Sequence, residues 1–233
     1  MKKILFTAFL LLFVTTISSA QKLLPIKPSV EIIVKGAFGT PLSDDNFKNS
    51  FKSFPGGQLE VVGNITSSFG VYGNFSADFL SAKDQSAIGQ TITQDNTYML
   101  SGSVGPRFYF NLPGSILYRF FGDVGFGIYA TRLGDRVTTT VTTPPFTVTT
   151  DRHNVYTQTG FNIGAGINIG LGPLGLANVT LKYHNLMSKS NVQVINTRTI
   201  EGSNPSVNSN IFQDVPSSSY FSVAVGLGFK IGL

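Results

Sequence analysis

From about residue 29 onward, apolar and polar side chains alternate with a period of two. The last fifteen residues show it most plainly: Phe221, Val223, Val225, Leu227, Phe229, Ile231 and Leu233 hold one parity, and Ser222, Ala224, Gly226, Gly228, Lys230 and Gly232 the other. In an extended chain, successive side chains point to opposite faces, so this is a strand with two unlike faces. The same pattern sets Val155, Phe161, Ile163, Ala165, Ile167 and Ile169 opposite Asn154, Gln158, Asn162, Gly164 and Asn168, and Tyr98, Leu100, Val104, Phe108 and Phe110 opposite Ser101, Ser103, Arg107 and Tyr109. It predicts eight strands near 29–39, 57–66, 69–81, 97–110, 115–131, 153–171, 175–187 and 219–233.

The connections alternate as well. Short links fall at Ser67-Ser68, Asn111-Leu112-Pro113-Gly114 and Gly172-Pro173-Leu174, all turn chemistry. Long links rich in Asp, Asn, Ser, Thr and Pro cover 40–56, 82–96, 132–152 and 188–218. Strict alternation places every long loop at one end of an antiparallel meander. The pattern predicts an all-β fold, a transmembrane antiparallel up-and-down β-barrel of eight strands with long extracellular loops and short periplasmic turns. In the third long loop, threonine-rich arms flank Pro144-Pro145 and read as a hairpin. Asn191-Val192-Gln193-Val194-Ile195 in the fourth suggests another, with a ten-strand barrel as the alternative count.

Composition supports a membrane barrel over a soluble one. Only 12% of the 233 residues are charged, about half the share of an ordinary soluble domain. The polar parity is mostly Gly, Ser, Asn and Thr, whereas a soluble barrel stocks that face with charge. Aromatics gather near strand ends on the apolar parity: Phe69, Phe108, Phe110, Tyr118, Phe120 and Phe229 towards the turns, and Phe38, Phe79, Tyr98, Tyr183 and Phe221 towards the loops. These predict the two girdles of an outer-membrane barrel, although without Trp. The chain has no cysteine, which excludes disulfides and thiolate chemistry.

The first twenty residues form a separate unit. Lys2 and Lys3 precede an apolar stretch from Ile4 to Ile17 and the small residues Ser18-Ser19-Ala20, the pattern of a signal peptide cleaved after Ala20. The expected organisation is a signal peptide (1–20), a short periplasmic lead (21–28) and a barrel domain (29–233), with no appended peptidoglycan-binding module and, since Gln21 is not Cys, no lipid anchor.

Nine charges within the strands share the parity opposite the apolar stripe: Glu31, Lys35, Glu60, Asp78, Arg107, Arg119, Asp123, Lys182 and Lys230. A charge facing lipid at mid-membrane costs about 2–4 kcal/mol, so all nine are expected inside, as a charge network filling the narrow lumen of an eight-strand barrel. Small residues on the same parity, including Gly164 and Gly226, leave room for the long side chains. The strands as read here put no charge on the lipid-facing stripe.

The closing run Gly226-Leu227-Gly228-Phe229-Lys230-Ile231-Gly232-Leu233, with Val104-Gly105-Pro106-Arg107-Phe108-Tyr109-Phe110 and Asp123-Val124-Gly125-Phe126-Gly127, resembles the OmpA/OmpX-like eight-stranded outer-membrane β-barrel family. The resemblance implies location in the cell outer membrane among lipid and lipopolysaccharide, as a monomer. It also implies recognition by the barrel-assembly machinery through Gly226, Phe229, Ile231 and Leu233, with Leu where the family's signal ends in Phe. Its members serve as adhesins, envelope-stabilising proteins, narrow pores and a few lipid-modifying enzymes. Action through the surface loops, or in envelope integrity, is expected here, with extracellular ligands at 132–152 and 188–218. A narrow channel for small solutes is the alternative, and a lipid-modifying hydrolase comes third.

Motifs for catalysis are weak. Gly170-Leu171-Gly172-Pro173-Leu174-Gly175 has dinucleotide-site spacing but lies between two strands, and that site needs a following helix. Some barrels resembling this one are deacylases with a His and a Ser two residues apart facing lipid; here His184 is followed at that spacing by Leu186, and only at four by Ser188. His153 sits at a loop root beside Asp151 and Arg152. No catalytic residue, metal site, cofactor or nucleic-acid partner is expected.

Overall fold

The computed structural model describes residues 28–43, 45–83, 85–111, 117–141, 147–187, 190–200, 206–215 and 217–232. In chain order these form β1 (Ser29–Ser43), a one-and-a-half-turn helix α1 (Asp45–Ser50), β2 (Phe54–Asn64), β3 (Phe69–Leu80), β4 (Gln85–Ala87), β5 (Gln90–Gln94), β6 (Thr97–Asn111), β7 (Tyr118–Arg132), β8 (Arg136–Thr140), β9 (Thr147–His153), β10 (Tyr156–Gly170), β11 (Gly175–Leu186), β12 (Ser190–Ile200), β13 (Ser206–Val215) and β14 (Ser218–Gly232).

Eight strands close a barrel in the order β1-β14-β11-β10-β7-β6-β3-β2. Every neighbouring pair is antiparallel, and the first and last strands zip together from Ser29 opposite Gly232 to Ser43 opposite Ser219. Closure leaves no free edge in the wall, which is the condition for strands to cross a membrane, because lipid offers backbone groups no partner. The alternation sets the facing. Phe75, Val104, Phe126, Ile128, Ile163 and Val225 point outward and stay exposed, while Glu60, Tyr72, Arg107, Asn162 and Thr180 point inward and are buried.

Cross-strand register gathers the outward aromatics into clusters at both ends. Phe79 lies against Tyr98 with ring centroids 5.7 Å apart at the loop end, and Phe69 against Phe108 at 5.4 Å at the turn end. Phe75 and Phe126 add outward aromatics at mid-height, where none was expected. The barrel wall also reaches beyond the expected strand ends. Arg132 therefore falls on the outward parity opposite Tyr98, correcting the expectation of a charge-free lipid-facing stripe. At girdle height its long stem can lie along the wall with the guanidinium in the polar interface.

The larger departure lies beyond the barrel. The expected strand 153–171 divides at Asn154-Val155, where His153 ends β9 and Tyr156 starts β10. Hairpins in the second, third and fourth loops join in one six-stranded antiparallel sheet, β13-β12-β9-β8-β5-β4. Each of its strands continues a barrel strand after a break of a few residues, in the same lateral order: β13 leads into β14, β12 follows β11, β9 leads into β10, β8 follows β7, β5 leads into β6 and β4 follows β3. The fourth-loop hairpin belongs to this outer sheet, so the ten-strand barrel is excluded. The second-loop pair, turning at Ile88 and Gly89 with φ of 72° at the glycine, and helix α1 were both unexpected. The proline turn of the third loop lies outside the described residues.

Candidate functional site: a filled lumen beneath an outer cup

The lumen is packed with side chains in layers. At mid-height, Glu60 on β2 receives three cations from three other strands: Lys35 Nζ at 2.9 Å, Arg107 Nη1 at 2.8 Å and Lys182 Nζ at 3.5 Å. Asp123 on β7 accepts a hydrogen bond from Arg107 Nη2 at 2.7 Å and lies 3.6 Å from Lys182. All five side chains are fully or almost fully buried. Aromatic faces complete the shell, with the Arg107 guanidinium 3.9 Å from the Phe121 ring centre and the Lys182 ammonium 4.2 Å from that of Tyr72. Charges removed from water need opposite charge and polarisable surroundings together. Lys35 also donates to Thr180 Oγ1 at 3.1 Å, and Tyr72 donates to Asn162 Oδ1 at 2.6 Å.

Glycines make that density attainable. A Cβ at Gly164 would meet the Asp123 carboxylate and stand 2.8 Å from Lys182 Cγ, and one at Gly226 would stand 2.7 Å from Lys35 Cγ.

Nearer the turns, Glu31 accepts from Asn64 Nδ2 at 2.9 Å, Asn168 Nδ2 at 3.0 Å and Arg119 Nη1 at 3.3 Å, and Arg119 stacks 3.4 Å from the Tyr109 ring centre. Asp78 is buried nearer the loops and accepts from Ser76 Oγ at 3.1 Å, without an ion pair among the described residues. Lys230, half-buried at the turn end, faces Glu31 across the β1–β14 ladder and likewise forms no ion pair among the described residues. Of the nine charges, five thus form one cluster, Glu31 and Arg119 a second, and Asp78 and Lys230 stand apart. Tyr72, Thr180, Asn162 and Asn168, which complete the network, were not singled out from the sequence. Their inward parity was the available signal.

His184 lies inside the barrel. Its Nδ1 is 3.1 Å from Tyr129 Oη, its Nε2 is 3.1 Å from Ser222 Oγ, and its ring stacks on Tyr220 at 4.2 Å. The Ser–His contact is buried inside the barrel against a plug of Phe51, Phe54, Leu80, Met99, Tyr129, Leu186 and Tyr220, on the face away from lipid. Gly172, with φ of 121°, shapes the turn between β10 and β11. Among the described residues no cluster of three or more His, Asp or Glu is placed to hold a metal. Of the closing-strand positions, Phe229 and Ile231 face outward and Gly226 lies against Lys35, while Leu233 is outside the described residues.

Above the plug, the outer sheet and the first loop form a cup. Helix α1 contributes Phe47 and Ser50 to a partly enclosed cavity of about 350 Å³, the outer sheet lines most of the rest, and Phe51, Lys83, Leu133, Tyr156 and Ser218 close it from the barrel side. His153, in its wall, is held below the ordinary imidazole value by burial, against the opposing pull of Asp151.

These features define a transmembrane eight-stranded β-barrel with a charged, side-chain-filled interior. Its fold is that of the OmpA/OmpX-like outer-membrane barrels. Among solved structures, the outer membrane protein OprG of Pseudomonas aeruginosa superposes over 90% of this chain and 98% of its own, at 12% identity and a TM-score of 0.56. Ail, the attachment invasion locus protein of Yersinia pestis, covers 88% of this chain and 100% of its own at 13% identity and 0.47. The outer membrane protease OmpT of Escherichia coli covers 92% and 100% at 7% identity and 0.39. At such identities the likeness concerns fold alone. No protein-family profile matches the chain, and neither does any curated protein sequence.

Proposed function

We propose that the protein resides in the bacterial outer membrane with its six-stranded sheet outside the cell, and that it works through contacts made by that sheet, as an adhesion or interaction surface. The observation that carries this reading is the division of the molecule: the lumen is packed with buried side chains, whereas the outer sheet ends in the edge strand β13, which pairs with β12 on one side and with no strand among the described residues on the other. That strand exposes Ile211 on one face and Phe212, 71% accessible, on the other. A free strand edge flanked by apolar side chains recruits partners by strand addition. The barrel is then an anchor, assembled through the closing strand β14 and standing as a monomer in lipid and lipopolysaccharide.

The test removes residues 190–215 and scores cell adhesion and envelope permeability in the same strain. Lost adhesion with unchanged permeability supports the reading. Unchanged adhesion with raised permeability moves the function to envelope integrity.

A further inference from the structure

Two polar side-chain atoms in the cup are buried without a hydrogen-bond partner among the described residues. They are Arg136 Nε and His153 Nδ1, and Arg136 on β8 and His153 on β9 both line the cavity. The carboxylate nearest by register, Asp151 directly across the ladder from Arg136, is taken by the side-chain amide of Asn196. Asp135 is paired with Arg152 on the exposed side. A second cation, Lys83, borders the same space with its ammonium on the Lys48 carbonyl at 2.7 Å, and Asp214 is the acidic group of the lining. Phe51, Leu133 and Tyr156 supply an apolar floor continuous with the packing beneath it.

A buried guanidinium N–H without an acceptor is an unusual cost in a folded protein. Here it faces a cavity within the size range of small-molecule sites, and that cavity combines an apolar surface with a few convergent polar groups. We propose that the cup is a binding site for a small organic anion with an apolar body, its acidic group on Arg136 and its body against Phe51, Leu133, Tyr156 and the neutral ring of His153. β13 lends Gln213, Asp214 and Val215 to the cavity, but Ile211 and Phe212 at its edge lie outside the lining, so ligand binding is read separately from adhesion. Charge-assisted hydrogen bonds to the guanidinium supply orientation and the preference for an anion, while the floor excludes water from the body of the ligand. Assembly of the site requires all three outer hairpins and the first loop, since α1, β5, β8, β9, β12 and β13 each line the cavity.

The experiment uses the full mature protein in lipid nanodiscs, with empty nanodiscs as the blank, and measures binding of para-toluenesulfonate and its uncharged analogue para-toluenesulfonamide by calorimetry. The sulfonate is expected to bind saturably, with the sulfonamide at least about tenfold weaker. Arg136→Met should lose the sulfonate to at least the same extent, while Arg132→Met on the outer wall should retain it. Heat-modifiable gel mobility establishes that each variant is folded. Equal affinity for the two probes, full binding by folded Arg136→Met, or no binding beyond the blank would overturn the proposal.

Discussion

Glu60 compensates three cations at once, and that makes it the most exposed point of the interior to substitution. In Glu60→Ala, Lys35, Arg107 and Lys182 remain buried with only Asp123 to offset them. Removing one partner from a buried ionic set costs about 3–5 kcal/mol, because the uncompensated charge stays behind. The expected outcome is a lower urea midpoint for Glu60→Ala in detergent, followed by far-UV circular dichroism since the chain has no tryptophan. Arg119→Ala should cost less, because that side chain is 15% exposed and Glu31 keeps two amide donors. The inward facing of these residues was legible from parity alone. Their grouping was not. Lys230 has the same parity as Lys182, yet it stands at the turn end, where the barrel mouth lets water reach it.

The hairpins show where periodicity stops being sufficient. The third-loop threonine arms and the Asn191–Ile195 run were readable as strands, since β-branched alternation is local. Their assembly was not readable, because backbone hydrogen bonds carry no sequence label and β9 could as well have paired only with β8. In the structure it also pairs with β12, from Val194 opposite His153 to Ile200 opposite Thr147. β9 is therefore an interior strand of the sheet, where proline removes a ladder hydrogen bond. Thr149→Pro is predicted to release the outer sheet alone: limited proteolysis should cut within 136–153 while the barrel keeps its heat-modifiable mobility. Loss of that mobility would show that barrel and sheet fold as one unit. The short helix α1 and the β4–β5 pair escaped notice because six and eight residues carry too little periodicity to stand out from a polar loop.

For the molecule as a whole, a packed lumen predicts electrical silence. In planar bilayers the wild-type protein should add no steady conductance above a protein-free membrane, because the charged layer at Glu60 and the apolar plug above it both block the axis. A reproducible single-channel step would favour the narrow-channel alternative instead. The same architecture explains the low charge content noted from the composition. An outward wall in lipid needs no charge, and Arg132 appears only where that wall reaches the polar interface.

By itself the sequence determined the eight strands of the wall to within a few residues at their ends, which face of each meets lipid, and that the long loops gather at one end. These follow from an interaction of period two between a side chain and its solvent, and each strand declares it without reference to the others. Tertiary structure alone decided what meets what: Glu60 with Lys182 from the far side of the lumen, Tyr72 with Asn162, three loop hairpins in one sheet, and Arg136 beside His153 over an apolar floor. Such contacts depend on barrel closure and strand register, which place residues distant in the chain at the same height. Alternation fixes the side a residue faces, and the neighbour it finds there comes from the closed wall.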